Sequence, residues 1–246
     1  MQLEKKTAIV TGGGSGFGAG IADLFSKNGA TVIVADINIE SATKVANNIG
    51  GIPIQVDVSD AESVKAMKTS LIKENEKIDI LINNAGTTHL PAPMETISER
   101  EFDKVFDVNC KSVYLMAREF VPHFKQNKSG VILNVASTAG VSPRPNLNWY
   151  NASKGWMILA SKTMAVELAP FGIRVNVINP VAGETPLLKS FLGEDTPEMR
   201  AKFLSTIPLG RFSLPADIAA AAMFLCSDSA SMITGTSLEI DGGRTI

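Results

Sequence analysis

The sequence predicts an α/β protein in which a doubly wound, seven-stranded parallel sheet is covered by helices on both faces. Three observations predict it. Seven short apolar runs, near residues 7–11, 31–36, 52–57, 78–83, 131–136, 173–179 and 237–241, read as strands with little polar alternation. That is the pattern of strands buried on both faces. Helical periodicity fills most of the intervals, near 16–28, 40–49, 60–75, 101–126, 150–169 and 215–227. The polar and glycine-rich signals fall where strands end, and a doubly wound sheet binds its ligands beyond those carboxyl ends.

Taken in order, the first strand, Thr7-Ala8-Ile9-Val10, runs into Thr11-Gly12-Gly13-Gly14-Ser15-Gly16-Phe17-Gly18. A helix follows, carrying Ile21, Leu24 and Phe25 and reaching Asn28-Gly29. Such a turn lets a pyrophosphate approach bare backbone while the helix N-terminus supplies N–H donors and a positive dipole end. Glycine turns without a ligand are common, so the next strand matters. Thr31–Ala35 ends in Asp36, where a dinucleotide fold holds the adenine ribose hydroxyls about 20 residues past the turn. A loop or helix cap is the bland reading of Asp36. The third strand ends at Asp57-Val58 and the fourth at Asn83-Asn84-Ala85-Gly86. Asn109 lies within the following helical pattern, and Ser137 follows the fifth strand.

The sixth interval holds Tyr150-Asn151-Ala152-Ser153-Lys154. On a helix, the four-residue spacing puts Tyr150 and Lys154 on one face, a turn apart. A neighbouring ammonium favours phenolate, so the pair can act as a general acid/base. Bringing a tyrosine from about 10 to near neutrality takes roughly 4 kcal/mol. One ammonium hardly supplies that alone, and a positively charged nicotinamide would add to it. A solvated helix face is the ordinary meaning of such a pair; the upstream turn and carboxylate give it weight.

These elements, in this order, resemble the short-chain dehydrogenase/reductase family. The resemblance runs from about residue 5 to the C-terminus and includes Asn179-Pro180 with Thr185, and Asp241-Gly242-Gly243. It implies a Rossmann-like fold and an NAD-dependent enzyme that interconverts a secondary alcohol and a ketone by hydride transfer. Tyr150 would be the acid/base, and Lys154 would lower its pKa and hold the nicotinamide ribose. Ser137 would hydrogen-bond the substrate oxygen, and Asn109 would position a water in a proton relay. Cofactor contacts are implied for Gly12, Ser15, Gly16, Phe17 and Gly18 in the turn, and for Asp36 and Ile37 at the ribose. Others fall to Asp57 and Val58, to Asn84, Ala85 and Gly86, and to Pro180, Gly183 and Thr185. Asp36 would repel a 2′-phosphate by about 4 kcal/mol per unit charge pair at an effective dielectric near 20. NADP-preferring members usually place a basic residue where this chain has Ser15 or Ile37, so NAD is expected. One departure is Pro180-Val181, where members often have Pro-Gly; the loop path through Gly183 is left open.

By the same resemblance, the substrate walls come from 88–94, 139–149 and a mobile lid at about 185–207. His89, Ala139, Arg144, Leu147, Leu188 and Phe191 are the candidates there. Gly183 and Gly193 are the candidate hinges. An apolar lining suits a compact, largely uncharged ketone. His89 reads as a rim residue, and Arg144 as solvent-facing or, as the lesser alternative, as the partner of a carboxylate. No metal site is expected, since His89 has no second ligand at suitable spacing.

Two other classes compete. A 3-oxoacyl-thioester reductase served by an acyl carrier protein tends to carry a docking cation where this chain has Phe171, although Lys125 and Lys128 are near. A cofactor-binding regulator without catalysis has no need of Ser137, Tyr150 and Lys154 together.

At 246 residues and 45% hydrophobic content, the chain can build one large core, expected as a single domain over 1–246. A net charge of −2 gives no footprint for nucleic acid or anionic membrane. No apolar run approaches a membrane span, and the N-terminus leads directly into the first strand, so a cytoplasmic protein is expected. Cys110 and Cys226 read as buried thiols. Apolar residues on several sides of the helix at 150–169, Trp156, Leu159 and Val166 among them, predict a homo-oligomer, a tetramer by the family resemblance.

Overall fold

The computed structural model describes residues 2–73 and 77–246. Seven parallel strands form one sheet in the order β3-β2-β1-β4-β5-β6-β7. They are β1 (Thr7–Thr11), β2 (Thr31–Asp36), β3 (Ile52–Gln55), β4 (Ile80–Asn83), β5 (Gly130–Val135), β6 (Ile173–Pro180) and β7 (Ser237–Ile240). The order reverses between β1 and β4, which creates the crevice where ligands of such sheets bind.

Strand side chains alternate between faces, and the core divides accordingly. Ala8, Val10, Val32, Val34 and Ile82 share one cluster with Ile21 and Phe25 of α1 (Gly16–Lys27), Ala42 and Ala46 of α2 (Ile39–Ile49), and Ile218 and Ala222 of α9 (Pro215–Cys226). Ile9, Ile33 and Leu81 share the other with Val64 and Leu71 of α3 (Ala61–Lys73) and Phe120 and Phe124 of α5 (Ser112–Asn127). Helix α6 (Asn148–Leu168) adds Ala165 and Leu168 to that face. Burial on both faces explains why β1, β2 and β4 read as continuous apolar runs.

The expected third strand to 57 ends at Gln55. The Val56 amide still reaches Asp36 O at 2.9 Å, after which the chain leaves the ladder toward the crevice. The expected helix over 101–126 is divided into α4 (Glu99–Phe106), a π-helical turn at Asp107–Lys111, and α5. Such a turn inserts one residue without ending the helix, which apolar periodicity cannot reveal. The last residues of the helix expected over 60–75 lie outside the described residues. Two short helices, α7 (Leu188–Leu192) and α8 (Pro197–Leu204), occupy the segment expected as a lid. They are too short for periodicity to mark. Cys110 and Cys226 are free and buried. Among the described residues, no helix is long and apolar enough to cross a membrane.

Candidate active site

A cavity of about 580 Å³ lies beyond the carboxyl ends of the strands and extends beneath α7 and α8. Its floor is fixed by Thr11, the last residue of β1. The Thr11 hydroxyl donates to Ile82 O at 3.1 Å and accepts the amides of Asn84 (3.0 Å) and Ala85 (3.1 Å). Asn84 Nδ2 returns bonds to Thr11 O at 2.9 Å and Gly12 O at 3.2 Å. This knot presses the glycine turn against segment 84–86. Gly12 has φ of 62°, and a Cβ there would stand 3.0 Å from the Ala85 Cα. A Cβ on Gly18 would stand 2.2 Å from Gly12 O. Glycine is therefore needed for close approach as well as for backbone freedom.

The Asp36 carboxylate closes this end. Its Oδ2 accepts the Gly14 amide at 2.9 Å and its Oδ1 the Asn38 amide at 3.0 Å. Asp36 and Ile37 both line the cavity, as do Gly12, Ser15, Gly16, Phe17, Asp57, Val58, Asn84, Ala85 and Gly86. Gly18 does not; it serves the packing of the turn, a correction to its expected contact. The bare backbone at the α1 N-terminus, with a fixed carboxylate beyond it, fits the phosphates and ribose of a dinucleotide.

At the other end stand Tyr150 and Lys154, on the first turns of α6 and exposed by only 4% and 3%. Lys154 Nζ donates to Val135 O at 3.0 Å and lies 6.0 Å from the Tyr150 ring centroid. The Ser137 hydroxyl accepts the Ala139 amide at 3.1 Å and lines the same cavity as the phenol. Burial pushes Tyr150 up to about 12, against the pull of the neighbouring Ser137 hydroxyl and then of the Arg144 charge. Burial likewise brings Lys154 down to about 8. Arg144 is thus a second cation acting on the phenol, beside the expected Lys154.

Asn109 is fully buried in the π-helical turn and lines no part of the cavity. Its Oδ1 accepts the Thr87 amide at 2.9 Å, while its Nδ2 donates to Thr87 O and Ser153 Oγ, each at 2.9 Å. A Cβ on Gly86 would lie 3.4 Å from both Asn109 Oδ1 and Lys154 Nζ. Asn109 therefore supports the wall against which Lys154 rests.

The loop after β6 is tied by backbone hydrogen bonds to β7 and to the segment before α9. The Val181 amide bonds to Ile240 O at 3.2 Å, the Ser213 amide to Ala182 O at 3.2 Å, and the Glu184 amide to Ser213 O at 2.9 Å. A Cβ on Gly183 would stand 2.4 Å from the Phe17 ring. Gly183 is a site of close packing, not the expected hinge. Pro180, Gly183 and Thr185 all line the cavity.

Of the substrate candidates, Ala139, Arg144 and Phe191 line the cavity. The Phe191 ring meets Tyr150 edge-on at 5.1 Å. Leu147 packs behind the wall with Ala139 and Tyr150. Leu188 is sealed inside a cluster with Val181, Leu192, Phe203, Ile207 and Phe212, holding α7 and α8 together. His89 is buried, not at a rim, with Nδ1 2.8 Å from Leu90 O and Nε2 unpaired among the described residues. The expected solvent-facing Arg144 turns inward instead, its guanidinium 4.6 Å over the Phe203 ring. Sequence reasoning missed Arg244, which enters the cavity from the C-terminal tail with its guanidinium 6.0 Å from the ring of Phe203 in the expected lid. Nothing in the order of the tail marks Arg244; only the return of the tail over α8 brings it in.

Comparison with known proteins agrees with this geometry. The family model described as enoyl-(acyl carrier protein) reductase matches residues 12–245. The chain is 50% identical over 252 residues to a 4-formylbenzenesulfonate dehydrogenase of Comamonas testosteroni, covering 100% of each. It is 34% identical over 249 residues to a cyclopentanol dehydrogenase of the same species, covering 99% of this chain and 98% of the other. A solved structure of a 3-ketoacyl-(acyl-carrier-protein) reductase from Brucella melitensis complexed with NADH superposes with a TM-score of 0.95 at 49% identity. It covers 99% of this chain and 100% of that one. The family-model match over residues 12–245 and the full-length oxidoreductase relatives place the chain in the short-chain dehydrogenase/reductase family.

Proposed function

We propose that the protein is an NAD-dependent oxidoreductase that interconverts a secondary alcohol and a ketone, with Tyr150 as acid/base. The observation that carries this reading is the buried Tyr150, beside Ser137 in the same cavity as Asp36 and the glycine turn. Family members use a nicotinamide cofactor, which when bound would supply or accept the hydride. The chain's own residues would do the rest. The α1 N-terminus and the bare turn would hold the phosphates, and Asp36 the adenine ribose hydroxyls. Lys154 would hold the second ribose. The Tyr150 hydroxyl would give its proton to a carbonyl oxygen, or take one from the alcohol, while Ser137 holds that oxygen. Fixed donors at an oxygen where charge develops are what this chemistry needs. A phenol near 12 ionises reluctantly, and Arg144 and a cationic cofactor ring would both favour the phenolate that accepts the alcohol's proton.

NAD is preferred to NADP in this reading because Asp36 stands where a 2′-phosphate would lie, with Ser15 and Ile37 in place of a cation. The cyclopentanol relative supports an alcohol substrate. The other reading, a 3-oxoacyl-thioester reductase, has in its favour the solved relative that is named for such a reaction. Against it, Lys125 stacks on Phe171 at 4.3 Å, and both sit where β5 and β6 begin, at the edge of the subunit opposite the cavity. The deciding test is kcat/KM with NADH for cyclic and aryl ketones against an acetoacetyl thioester. A tenfold advantage for the thioester would replace our reading.

We also propose a homotetramer. Trp156 (41% exposed), Leu159 (68%) and Val166 (77%) of α6 and Tyr114 (54%) of α5 form apolar surface that a single subunit leaves in water. Light scattering at micromolar protein should show four times the 26.1 kDa chain; a monomer would refute the assembly.

A further inference from the structure

Two arginines converge on the substrate end of the cavity from remote parts of the chain. Arg144 comes from the loop ahead of α6, its carbonyl tied to Asn151 Nδ2 at 2.8 Å. Arg244 comes from the tail beyond β7. That tail is held on both sides of Arg244 by Asp241, which accepts the Gly243 amide at 2.9 Å and the Thr245 amide and hydroxyl at 2.8 Å each. The two guanidinium groups face one ring, that of Phe203 in α8, at 4.6 Å and 6.0 Å.

Among the described residues, neither has a counter-ion. Arg118, Arg200 and Arg211 pair with carboxylates, and Arg174 donates to the carbonyls of Leu225, Ser227 and Ile233. Among the described residues, no carboxylate lies within 4.0 Å of Arg144 or Arg244, and neither side chain has a hydrogen-bond acceptor. Arg144 is also partly desolvated: its guanidinium is held below the ordinary range by burial first, and then by the charge of Arg244. Two like charges gathered in a half-buried cavity without a partner are unfavourable on their own. An oxyanion between them would relieve both, through charge-assisted bonds that the planar guanidinium makes well.

The geometry points to an oxyanion-binding subsite formed by Arg144 and Arg244, so that the carbonyl substrate carries a sulfonate or carboxylate at the end remote from the reacting carbon. Phe191 lies against Tyr150 and Phe203 lies under the arginines, so the span between the reacting oxygen and the anion is an apolar slot. A ring fits that span better than a flexible polar chain, and its planar faces would meet Phe191 and Phe203. The substrate class is therefore a compact aromatic or alicyclic carbonyl compound, or its alcohol, bearing a terminal oxyanion. This departs from the expectation of an uncharged ketone. It rests on the oxidoreductase reading for the reacting end only.

Binding decides it without turnover. Titration calorimetry on the NADH-loaded protein would compare benzenesulfonate with benzenesulfonamide, and benzoate with benzamide, pairs of similar shape that differ in charge. At least one anion should bind about tenfold or more tightly than its amide, and the better pair distinguishes sulfonate from carboxylate. Arg144→Met and Arg244→Met should each remove most of that preference while the Kd for NADH stays within about twofold, and Arg144→Lys should restore part of it. Should a methionine variant fold poorly, the wild-type protein still tests the subsite: rising salt should erode the preference, as it does for accessible ion pairs. Equal affinity for anion and amide in both pairs overturns the subsite. So does a preference that survives in both methionine variants, or a loss of NADH affinity in their place. Because no step of the reaction is read, inactivity toward ketones would count against the catalytic reading and leave the subsite standing.

Discussion

The two ends of the cavity are built from different materials. The cofactor end is backbone: the turn at 12–18, the Thr11–Asn84 knot and the amides that hold Asp36 all lie on β1, β2, β4 and their exits. The substrate end is side chain: Arg144, Phe191, Phe203 and Arg244 come from a loop, two short helices and the tail. Backbone geometry tolerates almost any neighbour but no Cβ, whereas side-chain geometry can change with single substitutions. The difference teaches why one end announces a ligand class in sequence and the other must be seen folded.

The largest effect should fall where the two ends meet. Tyr150→Phe should lower turnover by about a factor of 100 or more, the scale of lost acid/base catalysis, with the Kd for NADH nearly unchanged. Steady-state kinetics within threefold of wild type would take Tyr150 out of the chemistry.

A smaller change should appear at the backbone end. The preference for NAD over NADP should be about a hundredfold in kcat/KM, roughly 2.7 kcal/mol. Asp36→Asn, whose amide oxygen can still accept the Gly14 amide, should bring it below about tenfold. Equal use of both cofactors by the unaltered protein would break the assignment.

At the side-chain end, Leu188→Asp should act through structure. Leu188 is 2% exposed among the residues that join α7 to α8, and a carboxylate there has no partner to offset its desolvation. The packing of both helices should loosen, raising the KM for the carbonyl substrate about tenfold. Because Val181 belongs to the same cluster, NADH affinity should fall by a few-fold too. A KM effect with NADH affinity untouched would mean that Leu188 lines the slot after all.

The smallest effect concerns stability. Lys154 is held at about 8, below its ordinary 10.5, by burial. The unfolded chain then binds that proton more tightly than the folded one. The fold is destabilised in full below pH 8, less so between about 8 and 10.5, and not above. At pH 7 this amounts to about 3 kcal/mol, offset in part by the bond to Val135, worth about 1 kcal/mol. Lys154→Met should therefore raise the thermal midpoint at pH 7 by a few degrees, and the gain should vanish near pH 10.5. A lower midpoint at pH 7 would show that the ammonium is stabilising where it lies.

Sequence by itself determined most of the strands, because parallel strands buried on both faces are mainly apolar, as Ala8–Val10 and Ile80–Ile82 are. It also determined the cofactor end, because a turn that admits a phosphate must be glycine-rich and its carboxylate must follow the next strand. The Tyr150/Lys154 pair was legible because helical spacing alone puts both on one face. What only the tertiary structure decided depends on contacts between segments that no local period connects. Asp107–Lys111 forms a π-helical turn because Asn109 is drawn to Thr87 and Ser153, partners 22 and 44 residues away. Leu188 and Leu147 are apolar residues that read equally well as lining or as filling, and only packing separates the two. Arg144 reads as a surface arginine until Phe203 is seen beneath it, and Arg244 carries no signal until Asp241 folds the tail back. A charge declares its purpose through the neighbours it lacks, and those are set by the fold.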